Sequence, residues 1–184
     1  KFVVKDGCFL NAQQFADLLS HLESDEDGKP EFKGVYNGFE QAERRHVDRV
    51  LHIDFIKVDT IRERQFKIAV DTVNGAASDA LPYLLKKLGC DVIPVHCDPQ
   101  GGFPRGTEPL PENLEDLCNA VREHECDLGF ATDPDGDRLA VVDERGDPLG
   151  EEYTLVLAAD DFLSRGELPE TIVTNLSTTL AVEK

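Results

Sequence analysis

From Phe66 onward, short apolar runs alternate with helical stripes, and this alternation restricts the possible fold more than any other feature of the chain. Phe66-Lys-Ile-Ala-Val70 reads as a buried strand, and Asp71-Thr-Val-Asn-Gly75 as the turn after it. Leu81, Leu84, Leu85 and Leu88 fall at helical spacing, with Gly89 where a C-terminal cap is expected. Pro82 fits only a first helical turn, so that helix is short or kinked. Residues 91–95 read as a second strand and residues 100–111 as a long loop. Leu114, Leu117, Cys118 and Val121 mark the next helix, and residues 127–131 and 139–143 read as two more strands. A helix bearing Leu155, Val156, Ala159, Phe162 and Leu163 follows, and Thr171-Ile-Val-Thr174 opens another strand. Strand–helix–strand–helix order predicts an α/β sandwich.

Before residue 66 the pattern is looser. Residues 1–23 read as a strand, a turn at Asp6-Gly7 and a helix with Phe15, Leu18, Leu19 and Leu22 on one face. Residues 24–34 are charged and contain Gly and Pro, which marks a loop, and residues 39–64 read as one or two helices. The expected organisation is therefore a terminal remnant of one domain at 1–38 and a connector helix at 39–65. A complete domain follows at 66–168, and the first strand of another at 169–184. The absence of Met leads to the expectation that residue 1 is not the natural start.

The net charge of −18, from 37 acidic and 19 basic residues, argues against nucleic acid as a partner. No apolar run approaches the roughly 18 residues of a membrane span. Five cysteines without a CxxC pair point to reduced thiols and a cytoplasmic protein. The five histidines share no spacing and are given no role.

The chemistry concentrates in Phe130-Ala-Thr-Asp133-Pro-Asp135-Gly-Asp137-Arg138. Three carboxylates at alternate positions repel one another unless a cation neutralises them. Hard oxygen donors without nearby His or Cys select magnesium or calcium. Arg138 is a phosphate-binding residue type, and its alternative is an ion pair with one of the three aspartates. With Asp133 as position 1 of a calcium-binding helix–loop–helix, Glu144 falls at position 12, but Arg138 occupies the place of the required Gly.

Asp133-Pro-Asp-Gly-Asp-Arg138 resembles the metal-binding loop of the α-D-phosphohexomutases, which include phosphomannomutase, phosphoglucomutase and phosphoglucosamine mutase. Lys67-Ile-Ala-Val-Asp71 with Asn74-Gly75-Ala76, Gly102-Phe-Pro104, Glu108-Pro-Leu-Pro-Glu-Asn-Leu114 and Asp127-Leu-Gly-Phe-Ala131 extend the resemblance in family order. It implies the second of four domains, a three-layer α/β/α sandwich with a mixed, mostly parallel sheet. It also implies reversible phosphoryl transfer between the 1- and 6-positions of a hexose phosphate, through a phosphoserine and a hexose bisphosphate. Mg²⁺ would be held by Asp133, Asp135 and Asp137, with Arg138 on the phosphoryl oxygens. Lys1 resembles the lysine that closes the family's phosphoserine loop. The Ser-His-Asn-Pro of that loop does not occur in the sequence, so the chain alone is expected to be inactive. Oligomeric state and the identity of the hexose stay open. The alternatives are a phosphatase of the haloacid-dehalogenase type, with Asp133 as nucleophile, and a non-enzymatic calcium-binding module.

Overall fold

The structure is a computed structural model that describes residues 2–23, 41–150, 152–166 and Val173. Lys1 and the strand expected at 171–174 lie outside the described residues, apart from Val173. The chain divides into two compact units, Lys1–Gly38 and Phe39–Lys184.

In the first unit, Val3 and Phe9 form a single antiparallel bridge around a turn, and Gly7 takes a positive φ of 85° there. Only this bridge stands where a strand is expected. Helix α1 (Ala12–Glu23) follows. Asn11 Oδ1 accepts the Gln14 N–H at 2.9 Å, and Gln14 Oε1 accepts the Asn11 N–H at 3.0 Å. This reciprocal cap fixes the helix start.

In the second unit, helices α2 (Ala42–Leu51) and α3 (Val58–Arg64) precede strand β1 (Lys67–Asp71). Helix α4 (Ala80–Lys87), strand β2 (Asp91–Pro94), helix α5 (Glu115–Glu123), strand β3 (Leu128–Thr132), strand β4 (Leu139–Val142) and helix α6 (Tyr153–Ser164) come next. Pro82 stands in the first turn of α4, and that helix is short rather than kinked. The sheet order is β2-β1-β3-β4, with β1 parallel to β2 and β3, and β4 antiparallel to β3. The mixed, mostly parallel sheet is as expected.

Period-two alternation distributes the strand residues to two cores. Ile68 and Val70, with Leu128 and Phe130, pack against Leu81, Leu85 and Leu88 of α4 and its end. Ala69, Ala131, Ala140 and Val142 pack against Leu114, the N-cap of α5, and Leu117, Cys118 and Val121 of α5. Two helical layers on opposite faces of one sheet make the α/β/α sandwich. The α5 face is lined by small residues, so the helix sits close. A Cβ on Gly129 would lie 2.9 Å from Val121 Cγ2 and 3.2 Å from both Leu117 Cδ1 and Val142 Cβ.

The winding sets where a site can form. From β1 the chain crosses through α4 to β2 on one side, then returns through α5 to β3 on the other. The connections after β1 and β3 part in opposite directions, which opens a crevice at the carboxyl ends of these two neighbours.

Gly129→Ala is expected to lower the urea midpoint with an unchanged m-value, a loss of roughly 1–3 kcal/mol from overpacking. An unchanged midpoint would show that α5 yields without cost.

Candidate metal centre

Two turns meet at that crevice. After β1, Val73 and Asn74 both adopt left-handed backbone, with φ of 50° and 57°. For a buried β-branched residue such as Val73 this conformation is unfavourable, and the surroundings must impose it. Asp71, fully buried, accepts the Val73 N–H on Oδ1 at 2.8 Å. The His96 carbonyl accepts from Asn74 N at 2.8 Å and from Thr72 Oγ1 at 2.8 Å. Gly75 then lies flush against the second turn. A Cβ there would stand 2.5 Å from the Pro134 carbonyl oxygen and 2.7 Å from Pro134 Cα, and Ala76 N donates to that carbonyl at 2.8 Å.

The second turn is the acidic loop itself, joining β3 to β4, with Gly136 at φ 72°. Asp133 is 1% exposed, whereas Asp135 and Asp137 face solvent. Asp133 Oδ1 accepts the N–H of Asp137 at 3.0 Å and of Arg138 at 3.1 Å. Arg138 Nε donates to Asp133 Oδ2 at 3.3 Å and stands 3.9 Å from Asp137 Oδ1. One ligand oxygen from each of Asp133, Asp135 and Asp137 falls within 4.8 Å of the others. Burial, first, and then the neighbouring Asp135 and Asp137 hold the Asp133 carboxyl above its ordinary value, although the Arg138 N–H pulls the other way. The donor set consists of carboxylate oxygens alone, which fits Mg²⁺ or Ca²⁺. The loop is flanked by strands, not by the two helices of a calcium-binding helix–loop–helix.

Besides an ion pair with Asp133, its aspartate alternative, Arg138 also pairs with Glu108. Arg138 Nη2 donates to Glu108 Oε1 at 3.0 Å, and Nη1 donates to Glu108 Oε2. Glu108, which opens the Glu108–Leu114 stretch, had no expected role beside Arg138. Arg105, in the loop after β2, has a side chain only 6% exposed. Its Nε donates to Asp71 Oδ2 at 2.8 Å and its Nη2 to the Thr132 carbonyl at 2.9 Å. His96 Nδ1 also lies 3.0 Å from Asp71 Oδ2, so one histidine has a place in the site after all. Cys90, Cys118 and Cys126 are buried, and burial pushes their thiols up, which suits packing rather than nucleophilic attack.

The family model of the phosphoglucomutase/phosphomannomutase alpha/beta/alpha domain II matches residues 44–146, more than half of the 184 residues. The chain belongs to this family. A phosphomannomutase/phosphoglucomutase of Pseudomonas putida is 44% identical over 111 residues, which are 59% of this chain and 24% of that protein. A probable phosphoglucosamine mutase of Methanocella arvoryzae is 32% identical over 186 residues, 100% of this chain and 40% of that protein. The crystal structure of a phosphoglucomutase/phosphomannomutase family protein from Burkholderia thailandensis superposes with a TM-score of 0.58 at 32% identity. It covers 72% of this chain and 28% of that one. The chain thus spans about a quarter to two fifths of the length of the curated relatives it matches. Among the described residues, no helix is long and apolar enough to cross a membrane.

Two consequences of the domain II geometry are testable. Gly75→Ala forces one turn off the other, so it is expected to destabilise by roughly 1–3 kcal/mol. It should also shift the backbone amide resonances of Asp133 and residues 135–138. Shifts confined to Gly75 and its immediate neighbours would refute the close docking.

The second concerns pH. A carboxyl whose folded pKa is raised favours the fold below its unfolded pKa and loses that contribution as pH rises through the folded one. In chelator-treated buffer, the stability of the wild type relative to Asp133→Asn is therefore expected to increase as pH falls from 7 toward the ordinary carboxylate range. Parallel pH profiles for the two proteins would contradict it.

Proposed function

We propose that this chain is the cation-binding part of a phosphohexomutase, which moves a phosphoryl group reversibly between the 1- and 6-positions of a hexose. The observation that carries this reading is the meeting of the Asp133, Asp135 and Asp137 carboxylates beside Arg138, at the switch point of a family domain II. The Pseudomonas putida and Methanocella arvoryzae relatives carry the names of hexose phosphate mutases for different sugars. That supports a hexose phosphate as the substrate class and leaves the sugar unassigned.

Asp133, Asp135 and Asp137 would each offer one oxygen to Mg²⁺, which when bound supplies Lewis-acid polarisation of a phosphoryl oxygen. The chain's own residues do the rest. The buried Asp133 stays fixed because two backbone N–H groups and a guanidinium hold it. Arg138, half-exposed, presents a planar fork that suits phosphoryl oxygens as well as it now suits the Glu108 carboxylate. Charge spread over three phosphoryl oxygens is what such an arrangement stabilises. The transferred group would come from a phosphoserine, and a hexose bisphosphate would be the intermediate. The Ser-His-Asn-Pro of the resembling family is not in this sequence, so the donor serine would be supplied from outside it.

Mg²⁺ at ten times its dissociation constant is expected to stabilise the wild-type chain by about 1.4 kcal/mol, and Asp135→Asn and Asp137→Asn to remove most of that gain. The 184-residue chain alone should not convert a hexose 1-phosphate. Equal Mg²⁺ stabilisation of the wild type and both variants would refute the cation reading. Trapping of a phosphate-mimicking fluoride complex on Asp133 would replace the mutase with a phosphatase.

A further inference from the structure

The acidic loop is held at both ends by one segment that contributes nothing to its carboxylate cluster. Residues 105–108 grip the loop entrance through Arg105 and its exit through Glu108. The entrance contact is the better built. Arg105 is a buried cation whose fork reaches three backbone or side-chain acceptors: Asp71 Oδ2 at 2.8 Å, the Thr132 carbonyl at 2.9 Å and the Gly106 carbonyl at 2.9 Å. Thr132 is the last residue of β3, and its peptide leads directly into the buried Asp133. Its carbonyl faces Arg105, and its Oγ1, also buried, has no hydrogen-bond partner among the described residues. The side chain of Thr132 therefore does little to fix this peptide, and the guanidinium does much. Asp71 in turn holds the strained Val73 turn, against which Pro134 rests. One guanidinium thus ties the ends of β1 and β3 together where the two turns touch.

We infer that Arg105 is a positioning residue for the cation site, setting where Asp133 stands through the Thr132 carbonyl rather than by contact with the ion. The inference rests on the cation reading of the loop. It also opposes a simple electrostatic expectation. Arg105 is a positive charge, and on charge alone its removal would tighten divalent cation binding. Loss of a group that orients a metal ligand typically weakens affinity 10–100-fold instead. Lysine separates the two effects, because it keeps the charge and cannot hold two acceptors in a fixed fork.

The test is an NMR titration of the full chain with Mg²⁺ alone, following the amides of Gly136, Asp137 and Arg138 at a temperature where circular dichroism shows every variant folded. Arg105→Lys is expected to raise the dissociation constant at least tenfold, and Arg105→Met to raise it as well. Val121→Ala, a core change on α5 of comparable cost in stability, should leave it unchanged. Where both Arg105 variants fold poorly, Asp71→Asn reads the same coupling, since the fork then loses its charged anchor: weaker Mg²⁺ binding supports the inference, and unchanged binding overturns it. Unaltered or tighter binding in Arg105→Lys overturns it, as does equal weakening in Val121→Ala. Wild-type amides that ignore Mg²⁺ sink the cation reading, and this inference falls with it. A responsive wild type with an equally responsive Arg105→Lys sinks the inference alone.

Discussion

Crowding of negative charge around one buried carboxylate is the constraint that the rest of this structure answers. Two unit charges no more than 4.8 Å apart repel by at least about 3 kcal/mol at an effective dielectric constant of ~20. Solvent at Asp135 and Asp137 screens much of this, but Asp133 has no such relief. The fold meets that cost locally. Two loop N–H groups point at Asp133 Oδ1, Arg138 stands against Oδ2, and Glu108 keeps Arg138 in place from the other side. Arg138 is thus shared between a carboxylate that needs it and one that orients it.

The parts of this design that were legible in the sequence are those governed by short-range rules. The strands at β1, β2, β3 and β4 and the stripes of α4, α5 and α6 follow from period-two and helical spacing. Pro82 announced a short or kinked helix, and the helix is short. The acidic loop was legible because its three aspartates lie within five residues of sequence, so proximity in the chain guarantees proximity in space. The connector at 39–65 was less legible: it contains two helices separated at residues 52–57, where no strong breaker stands.

The missed residues share one property. Arg105 depends on Asp71 and Thr132, which are 34 and 27 positions away, and Glu108 depends on Arg138, which is 30 away. A lone Arg in a Gly- and Pro-bearing loop carries no local pattern, and its burial only arises once the loop folds back over the sheet. The one available signal was the run of Gly, Phe and Pro around it, which indicates a loop of fixed shape rather than a free one. His96 was passed over for the same reason: its partners Asp71 and Asp116 come from other elements. The left-handed pair Val73 and Asn74 was hidden differently, since Val is a poor residue for that conformation and local preference argued against it.

That last misfit also explains how the site is organised. A strained backbone persists only where its surroundings over-determine it, at a cost of order 1–3 kcal/mol per residue. Here Asp71, the His96 carbonyl and the Asn74 side chain all hold the turn, and the Asn74 amide bonds both Gly102 O and Asp98 N. The turn cannot relax away from Pro134, and Gly75 leaves no gap for it to do so. The acidic loop consequently presses on a surface that is already rigid, and its own N–H groups fix Asp133 before any cation arrives. A ligand set organised by folding spends none of its binding free energy on ordering the loop. The strain at Val73 and the burial of Asp133 are in this sense a single arrangement, two unfavourable local states each made tolerable by the other's neighbours.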